Sequence, residues 1–249
     1  MVMEVYITSF LNKLKLLGPE VAAYVAKHFE PVLTKDPLFK KGDYGKALYN
    51  TFLEMDVLLR SPMGRKELAS LYKNPYGEES MAGCTACVCL IVKDKMYVAN
   101  AGDSRCVIAT KDGVFALTKD HKPTELSEKN RIEFAGGNVY QGRINGNLNV
   151  SRGLGDLELK DNDFIPTNKQ LVIADPDIRV WDMSSKDEFL VIGCDGIFDH
   201  YPSHEICQFI SNQLNSGKSL KQTNEALLDQ LVSKDPKCTG LLLKIFLMF

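Results

Sequence analysis

From residue 84 onward, apolar β-branched runs recur at hairpin spacing, and this pattern constrains the fold more than any other feature of the 249-residue chain. The runs are Cys84–Val92, Met96–Ala101, Cys106–Ala109 and Val114–Leu117. Between them stand Lys93-Asp94-Lys95, Gly102-Asp103-Ser104 and Lys111-Asp112-Gly113, all good turn formers. Further strands are expected at Leu148–Val150, Leu171–Ile173, Ile178–Trp181 and Phe189–Cys194. The period before residue 84 is different. Gly18-Pro19 opens a segment with Val21, Val25, Phe29 and Val32 near helical spacing, and Gly45 to Arg60 repeats it with Leu48, Phe52, Met55 and Leu59. The first 75 residues therefore read as helical, broken at Asn74-Pro75-Tyr76-Gly77. Another helix is expected from Pro123 to Ala135, closed by Gly136-Gly137, and two more at about 203–214 and 220–232. Helices, then many hairpin-linked strands, then helices again argue for an α+β fold with antiparallel sheets.

Length and composition fit a single domain over residues 1–249 with a sizeable core. The net charge of −2 is interspersed, which argues against a nucleic-acid surface. No run reaches the ~20 apolar residues that a membrane span needs. Met1 to Phe10 lacks the basic region and cleavage site of a secretory signal, and Val2 stands where myristoylation needs glycine. The C-terminus has no prenylation box. A soluble monomer in the cytosol or nucleus is the expectation. Of seven cysteines, Cys84, Cys87 and Cys89 cluster as a metal-thiolate knuckle would. They lie in a β-rich apolar run with no second Cys/His pair at zinc spacing, so buried reduced thiols are expected instead.

Acidic residues cluster where strands end. Phe189-Leu-Val-Ile-Gly-Cys-Asp-Gly-Ile-Phe-Asp199 delivers Asp195 and Asp199 from an apolar run. Two carboxylates ~4 Å apart repel by roughly 4 kcal/mol at an effective dielectric of 20, and a hard divalent cation is a common remedy. Tyr97 to Arg105 ends in Gly102, Asp103, Ser104 and Arg105, and Leu148 to Asp156 brings Ser151, Arg152 and Asp156. Ala174-Asp-Pro-Asp177 is a fourth such end. Each alone is an ordinary turn. An antiparallel sheet with strand ends at one edge would bring Asp103, Asp195 and Asp199 together, the arrangement that metal-assisted hydrolysis needs.

The order Gly83-Cys-Thr-Ala86, Val98-Ala-Asn-Ala-Gly-Asp-Ser-Arg105 and Asp120-His-Lys-Pro123 resembles the metal-dependent (type 2C) Ser/Thr protein phosphatases. So do Arg131-Ile-Glu-Phe-Ala-Gly-Gly137, Val150-Ser-Arg-Gly-Leu-Gly-Asp156 and Cys194-Asp-Gly-Ile-Phe-Asp199, and the resemblance runs over about residues 18 to 233. It implies two packed antiparallel β-sheets flanked by helices, a four-layer α-β-β-α sandwich with a metal centre at one end. It also implies hydrolysis of phosphoserine and phosphothreonine in phosphorylated proteins by a water activated on Mg²⁺ or Mn²⁺. By the resemblance, Asp195 is the ligand shared by the core metal centre, and Asp103 and Asp199 belong to an additional, weaker metal site. Gly196 gives the close turn beside the metal. Arg152 and Asp156 are braces beneath it, with Ser104 in support, and His121 is a structural motif residue.

The pattern also breaks. The family carries Asp-Gly-His-Gly directly before the position of Gly18, where its Asp and Gly bind both core metals and its His is the proposed general acid. This chain has Leu14-Lys-Leu-Leu17. The family's upstream Glu ligand and phosphate-binding Arg have no counterpart in Met1 to Lys13. Its closing Asp-Asn pair is missing from Lys234-Asp-Pro-Lys-Cys-Thr-Gly240 and the apolar tail Leu241–Phe249, where Asp235 is the nearest acid. Tails of this kind are what a shifted frame or a mis-joined gene would give. No catalytic residue is therefore assigned, and a weak or inactive phosphatase is expected. The alternative is a pseudophosphatase that binds phosphoproteins or regulates through the same scaffold.

Overall fold

The computed structural model describes residues 3–11, 20–71, 82–234 and 243–247. Strand β1 (Met3–Leu11) is followed by helices α1 (Glu20–Lys35), α2 (Pro37–Lys40), α3 (Tyr44–Arg60) and α4 (Pro62–Leu71). Then come β2 (Gly83–Val92), β3 (Lys95–Ala101), β4 (Arg105–Thr110) and β5 (Gly113–Ala116). Helix α5 (Leu126–Phe134), the short strands β6 (Val139–Tyr140) and β7 (Arg143–Ile144), and β8 (Leu154–Gly155) form the middle. The remainder is β9 (Asp177–Asp182), β10 (Asp187–Gly193), α6 (Asp195–Phe198), α7 (Ser203–Asn215), α8 (Leu220–Lys234) and β11 (Leu243–Leu247).

Two antiparallel sheets carry the fold. One runs β1-β2-β3-β9, with β8 pairing the start of β2, and the other runs β11-β10-β4-β5. Strand β2 shows why they stack. Its side chains alternate faces, as the pleat requires, and both faces are apolar. Cys87 and Cys89 point into the core shared with β4, β10, α7 and α8. Ala86, Val88 and Leu90 point the other way, onto α1 and α3. A strand covered on both sides has no polar face to write into its sequence, hence the unbroken run from Cys84 to Val92. Helices α1 and α3 are joined through Phe29 and Phe52, edge to face at 5.2 Å. The result is the expected layering of helix, sheet, sheet and helix. The cysteines behave as small hydrophobes: Cys84, Cys87, Cys89, Cys106, Cys194 and Cys207 are free and buried, and burial pushes the Cys207 thiol up to about 12.

Three expectations need correction. Residues 3–11 are not helical: they form β1, in register with β2 from Met3↔Val92 to Leu11↔Cys84. Val5, Tyr6, Ile7, Thr8 and Phe10 are strand formers, and an otherwise open edge of β2 gives their backbone its partners. The C-terminal tail likewise pairs, as β11 against β10 from Phe189↔Leu247 to Gly193↔Leu243. By contrast, Leu148–Val150 and Leu171–Ile173 are not strands and contribute only the bridges Ile144↔Leu148 and Arg152↔Ile173. Leu148, Val150 and Val172 are buried in a satellite core with Ile132 and Ile144, so their apolar character is real. The carbonyl of Leu171, however, accepts from the Arg131 guanidinium at 3.0 Å, and that of Gln170 accepts from it too.

Candidate functional site

Strand register brings the acids together. Strands β4 and β10 are antiparallel neighbours with Arg105 opposite Gly193. Asp103, just before β4, and Asp195, just after β10, therefore emerge at the same rim of the sandwich. Past β10 the chain makes the single turn α6, and the Asp199 N–H donates to the Asp195 carbonyl at 2.8 Å. That four-residue spacing puts both carboxylates on one face. Arg105 fastens the rim: it grips Asp120 with two hydrogen bonds, at 3.1 and 2.8 Å, and lies 5.1 Å from the centre of the Phe198 ring.

The turn bearing Asp103 is tightly specified. Gly102 has φ +122°, and a Cβ there would lie 2.3 Å from Thr85 Cγ2, so only glycine fits. The Ser104 hydroxyl pairs with that of Thr85 at 2.8 Å. Asp103 itself is 2% exposed. Its Oδ2 accepts from Lys122 Nζ at 2.6 Å, and the same ammonium lies 3.7 Å from Asp199 Oδ2. Burial pushes Asp103 up to about 6 against the pull of Lys122, and the neighbouring Asp195 adds to the rise. Burial also raises Asp195, partly offset by Lys122 and by the Gly196 N–H, which donates to Asp195 Oδ1 at 2.8 Å. Lys122 is held above its ordinary range: burial works against its charge, but Asp103, Asp199 and Asp195 outweigh it.

Lys122 thus pairs with Asp103 and lies near Asp199, while Asp195, at the same rim, acts on its charge without a direct contact. The ammonium of Lys122 was not anticipated, although it stands in the Asp120-His-Lys-Pro123 motif; no spacing rule reveals where a flexible side chain ends. Hard carboxylate oxygens are the donors that Mg²⁺ and Mn²⁺ take, and Lys122 acts as a stand-in cation that shows the rim accepts positive charge. Carboxylates of this chemistry would suit a hard cation only if it kept most of its water. Among the described residues, no group of three or more His, Cys, Asp or Glu is arranged to hold a metal ion by itself.

The other expected residues have different tasks. Gly196 is not in a left-handed conformation; it lies in the helical turn α6 and serves through its N–H. Arg152 is a brace: its guanidinium contacts Glu128 Oε1 at 2.6 Å, Asp177 Oδ1 at 3.1 Å and the Asp175 carbonyl at 3.2 Å. Glu128 also accepts from Arg131 at 2.8 Å. Burial alone would raise Glu128, but Arg152 and Arg131 hold it down to about 2. Sequence reasoning placed Asp177 at a strand end and Arg131 in a motif but did not join either to Glu128; the three-residue spacing of Glu128 and Arg131 on one helix face was a further signal. Asp156 braces a separate turn. Its backbone is left-handed at φ +47°, its N–H donates to the Ala82 carbonyl, and a Cβ on Gly83 would lie 1.9 Å from its Oδ2. Nearby, Asp56 accepts from the Gly155 N–H at 2.9 Å and from Lys160, which also reaches the Gly153 carbonyl at 2.7 Å. Leu14-Lys-Leu-Leu17 and Asp235 lie outside the described residues. No described helix is long and apolar enough to cross a membrane.

Comparison with known proteins bears on the family and the fold. The family model for protein phosphatase 2C matches residues 6–237. Probable protein phosphatase 2C 6 of Paramecium tetraurelia is 46% identical over 219 residues, covering 88% of this chain and 74% of that protein. Probable protein phosphatase 2C 21 of Arabidopsis thaliana is 38% identical over 252 residues, covering 88% of this chain and 71% of that protein. The crystal structure of a phosphatase from a pathogenic strain of Toxoplasma gondii superposes with a TM-score of 0.77 at 22% identity, over 99% of this chain and 85% of that one, a likeness of fold. With a family model spanning most of its length and relatives at this identity, the chain belongs to the protein phosphatase 2C family.

Proposed function

We propose that this chain is a serine/threonine phosphatase domain with a reduced metal centre, acting as a monomer on phosphorylated proteins with weak turnover. The supporting observation is that Lys122 lies 2.6 Å from Asp103 and 3.7 Å from Asp199, with Asp195 near enough to act on its charge. Mg²⁺ or Mn²⁺ held there would lower the pKa of a bound water and so supply a nucleophile near neutral pH. The chain's own residues set the conditions for that event. Lys122 must leave Asp103 and Asp199, and Asp103, which burial keeps up at about 6, must be ionised. Gly196 holds Asp195 Oδ1 in place.

Turnover is expected to be low because Leu14-Lys-Leu-Leu17 stands where the family carries Asp-Gly-His-Gly. A two-metal site stabilises both the attacking and the leaving oxygen. Each 1.36 kcal/mol of lost stabilisation costs about tenfold in rate, so losing the core pair removes several powers of ten. The ion pair of Lys122 with Asp103 favours a second reading, because the rim is already neutralised in part without a metal. On that reading the domain binds phosphoproteins and does not turn them over.

The test is Mn²⁺-dependent release of phosphate from a phosphothreonine peptide by the purified 249-residue chain. Slow release abolished by Asp195→Ala is expected. Release undiminished by that substitution excludes this site, and binding of the peptide without any release selects the second reading.

A further inference from the structure

The geometry points to His121 and Asp177 as positioning residues that fix the turn carrying Asp103, an inference that rests on the reading of that rim as the functional site. His121 engages Gly102 twice. Its backbone N–H donates to the Gly102 carbonyl at 3.0 Å, and its Nδ1 accepts from the Gly102 N–H at 3.1 Å. An accepting Nδ1 leaves the ring proton on Nε2. That nitrogen lies 3.2 Å from Asp177 Oδ2, close enough for attraction but without the alignment of a full hydrogen bond.

From Asp177 the contacts run back to His121. Arg152 donates to Asp177 Oδ1 at 3.1 Å and to Glu128 Oε1 at 2.6 Å. Glu128 Oε2 accepts from the Ser151 hydroxyl at 2.8 Å, and the Ser151 N–H donates to the His121 carbonyl at 3.0 Å. His121, 3% exposed, therefore sits in a closed ring of polar contacts.

What it holds is the residue of the turn that most needs holding. Glycine is the most permissive residue for the backbone, so Gly102 at φ +122° does not fix its own conformation. The Gly102 carbonyl has a second donor, Asn100 Nδ2 at 3.0 Å. For the N–H, among the described residues, His121 Nδ1 is the partner. Removing that acceptor frees the Ala101–Gly102 peptide unit, one ahead of the unit that joins Gly102 to Asp103, and a carboxylate whose supporting turn wanders is a poorer ligand. Indirect partners of metal ligands typically contribute ten- to hundredfold in affinity.

The test separates two isosteres. Asn at 121 can place an oxygen near the Nδ1 position, whereas Gln places its amide near Nε2. Two readouts are taken on the whole chain: amide hydrogen exchange at Gly102 followed by NMR, and Mn²⁺ affinity by spin-resonance titration. His121→Gln is expected to speed Gly102 exchange at least tenfold, leave β4 and β10 amides unchanged, and weaken Mn²⁺ binding about ten- to hundredfold. His121→Asn is expected to restore both readouts towards the parent. Asp177→Asn, at a carboxylate 56% exposed, is expected to do the same as His121→Gln more mildly, and it serves if His121→Gln does not fold. The inference is overturned if Gly102 exchange is unchanged in His121→Gln, if Asn performs no better than Gln, or if protection falls throughout the core. A parent chain with no Mn²⁺ binding refutes the metal reading of the rim alone, and the Gly102 exchange rates then decide the positioning role.

Discussion

Replacing Asp156 by Asn should stabilise the protein above about pH 4, with the full gain near neutrality. Asp156 is 7% exposed, and burial pushes its carboxyl from 3.8 up to about 6 even though Lys160 pulls the other way. A carboxyl whose pKa is raised by folding contributes its full stability below the unfolded value and loses it as pH climbs through the folded value. The penalty in the parent therefore opens between pH 4 and 6 and is complete at neutrality. A rise of about two units at 1.36 kcal/mol each puts the ceiling near 3 kcal/mol. Asn carries no charge to bury, fills the same volume, and is one of the few residues at ease in the left-handed backbone that position 156 adopts. Lys160 keeps Asp56 and the Gly153 carbonyl as partners. The assay is urea unfolding of both chains from pH 4 to pH 8, comparing midpoints where the slopes agree. Near pH 4 the two should unfold almost together, and at pH 7 to 8 the variant should lead by up to about 3 kcal/mol. An Asn variant equal to or weaker than the parent at neutral pH, or a gap that does not vary with pH, refutes the claim that Asp156 is a charge held at a cost.

The opposite sign is expected at Glu128, which Arg152 and Arg131 hold down to about 2 despite its burial. Glu128→Gln leaves two guanidinium groups without their shared partner and should cost about 3–5 kcal/mol at neutral pH. Because the folded pKa is lowered, this contribution is present above about 4.5 and lost as pH falls towards 2, so the variant and parent should converge in acid, as followed by chemical unfolding. Lys122→Met removes the resident cation from Asp103 and Asp199. Thermal melts should then rise with added Mn²⁺ more steeply than in the parent; parallel curves would mean that Lys122 does not compete for the rim.

What could be read in the sequence depended on how local the determining contacts are. Strand β2 was expected at Cys84–Val92 and found at Gly83–Val92. Strand β10, expected at Phe189–Cys194, was found at Asp187–Gly193. In both, the residues that make a strand and the turns that end it are neighbours in sequence. Strand β1 escaped because its pairing partner lies some eighty residues away, and an isolated stretch of nine residues says little about the edge it will complete. The strands expected at 148–150 and 171–173 failed for a different reason. Burial makes a residue apolar whether or not its backbone joins a ladder, and here Arg131 takes the carbonyls. At the rim, the acids were legible because strand ends and turn residues mark them. Lys122 and the ring from His121 to Ser151 were not, since each depends on the register that brings Arg105 opposite Gly193 and on side chains meeting across it.

That register also explains how such a rim can persist with a metal motif replaced. Three carboxylates at one edge should repel, yet each has its own relief. Asp103 is paired directly with Lys122, Asp195 has the Gly196 N–H, and Asp199 is 48% exposed, where water screens it. The turn under Asp103 is fixed by Thr85 packing and by His121, neither of which needs a cation. The rim is thus held together by contacts that need no cation. A lineage can lose Asp-Gly-His-Gly and keep the scaffold, so family membership alone does not measure how fast this domain hydrolyses phosphate. On the proposed reading, the rate is set by what a cation finds at Asp103, Asp195 and Asp199 once Lys122 gives way.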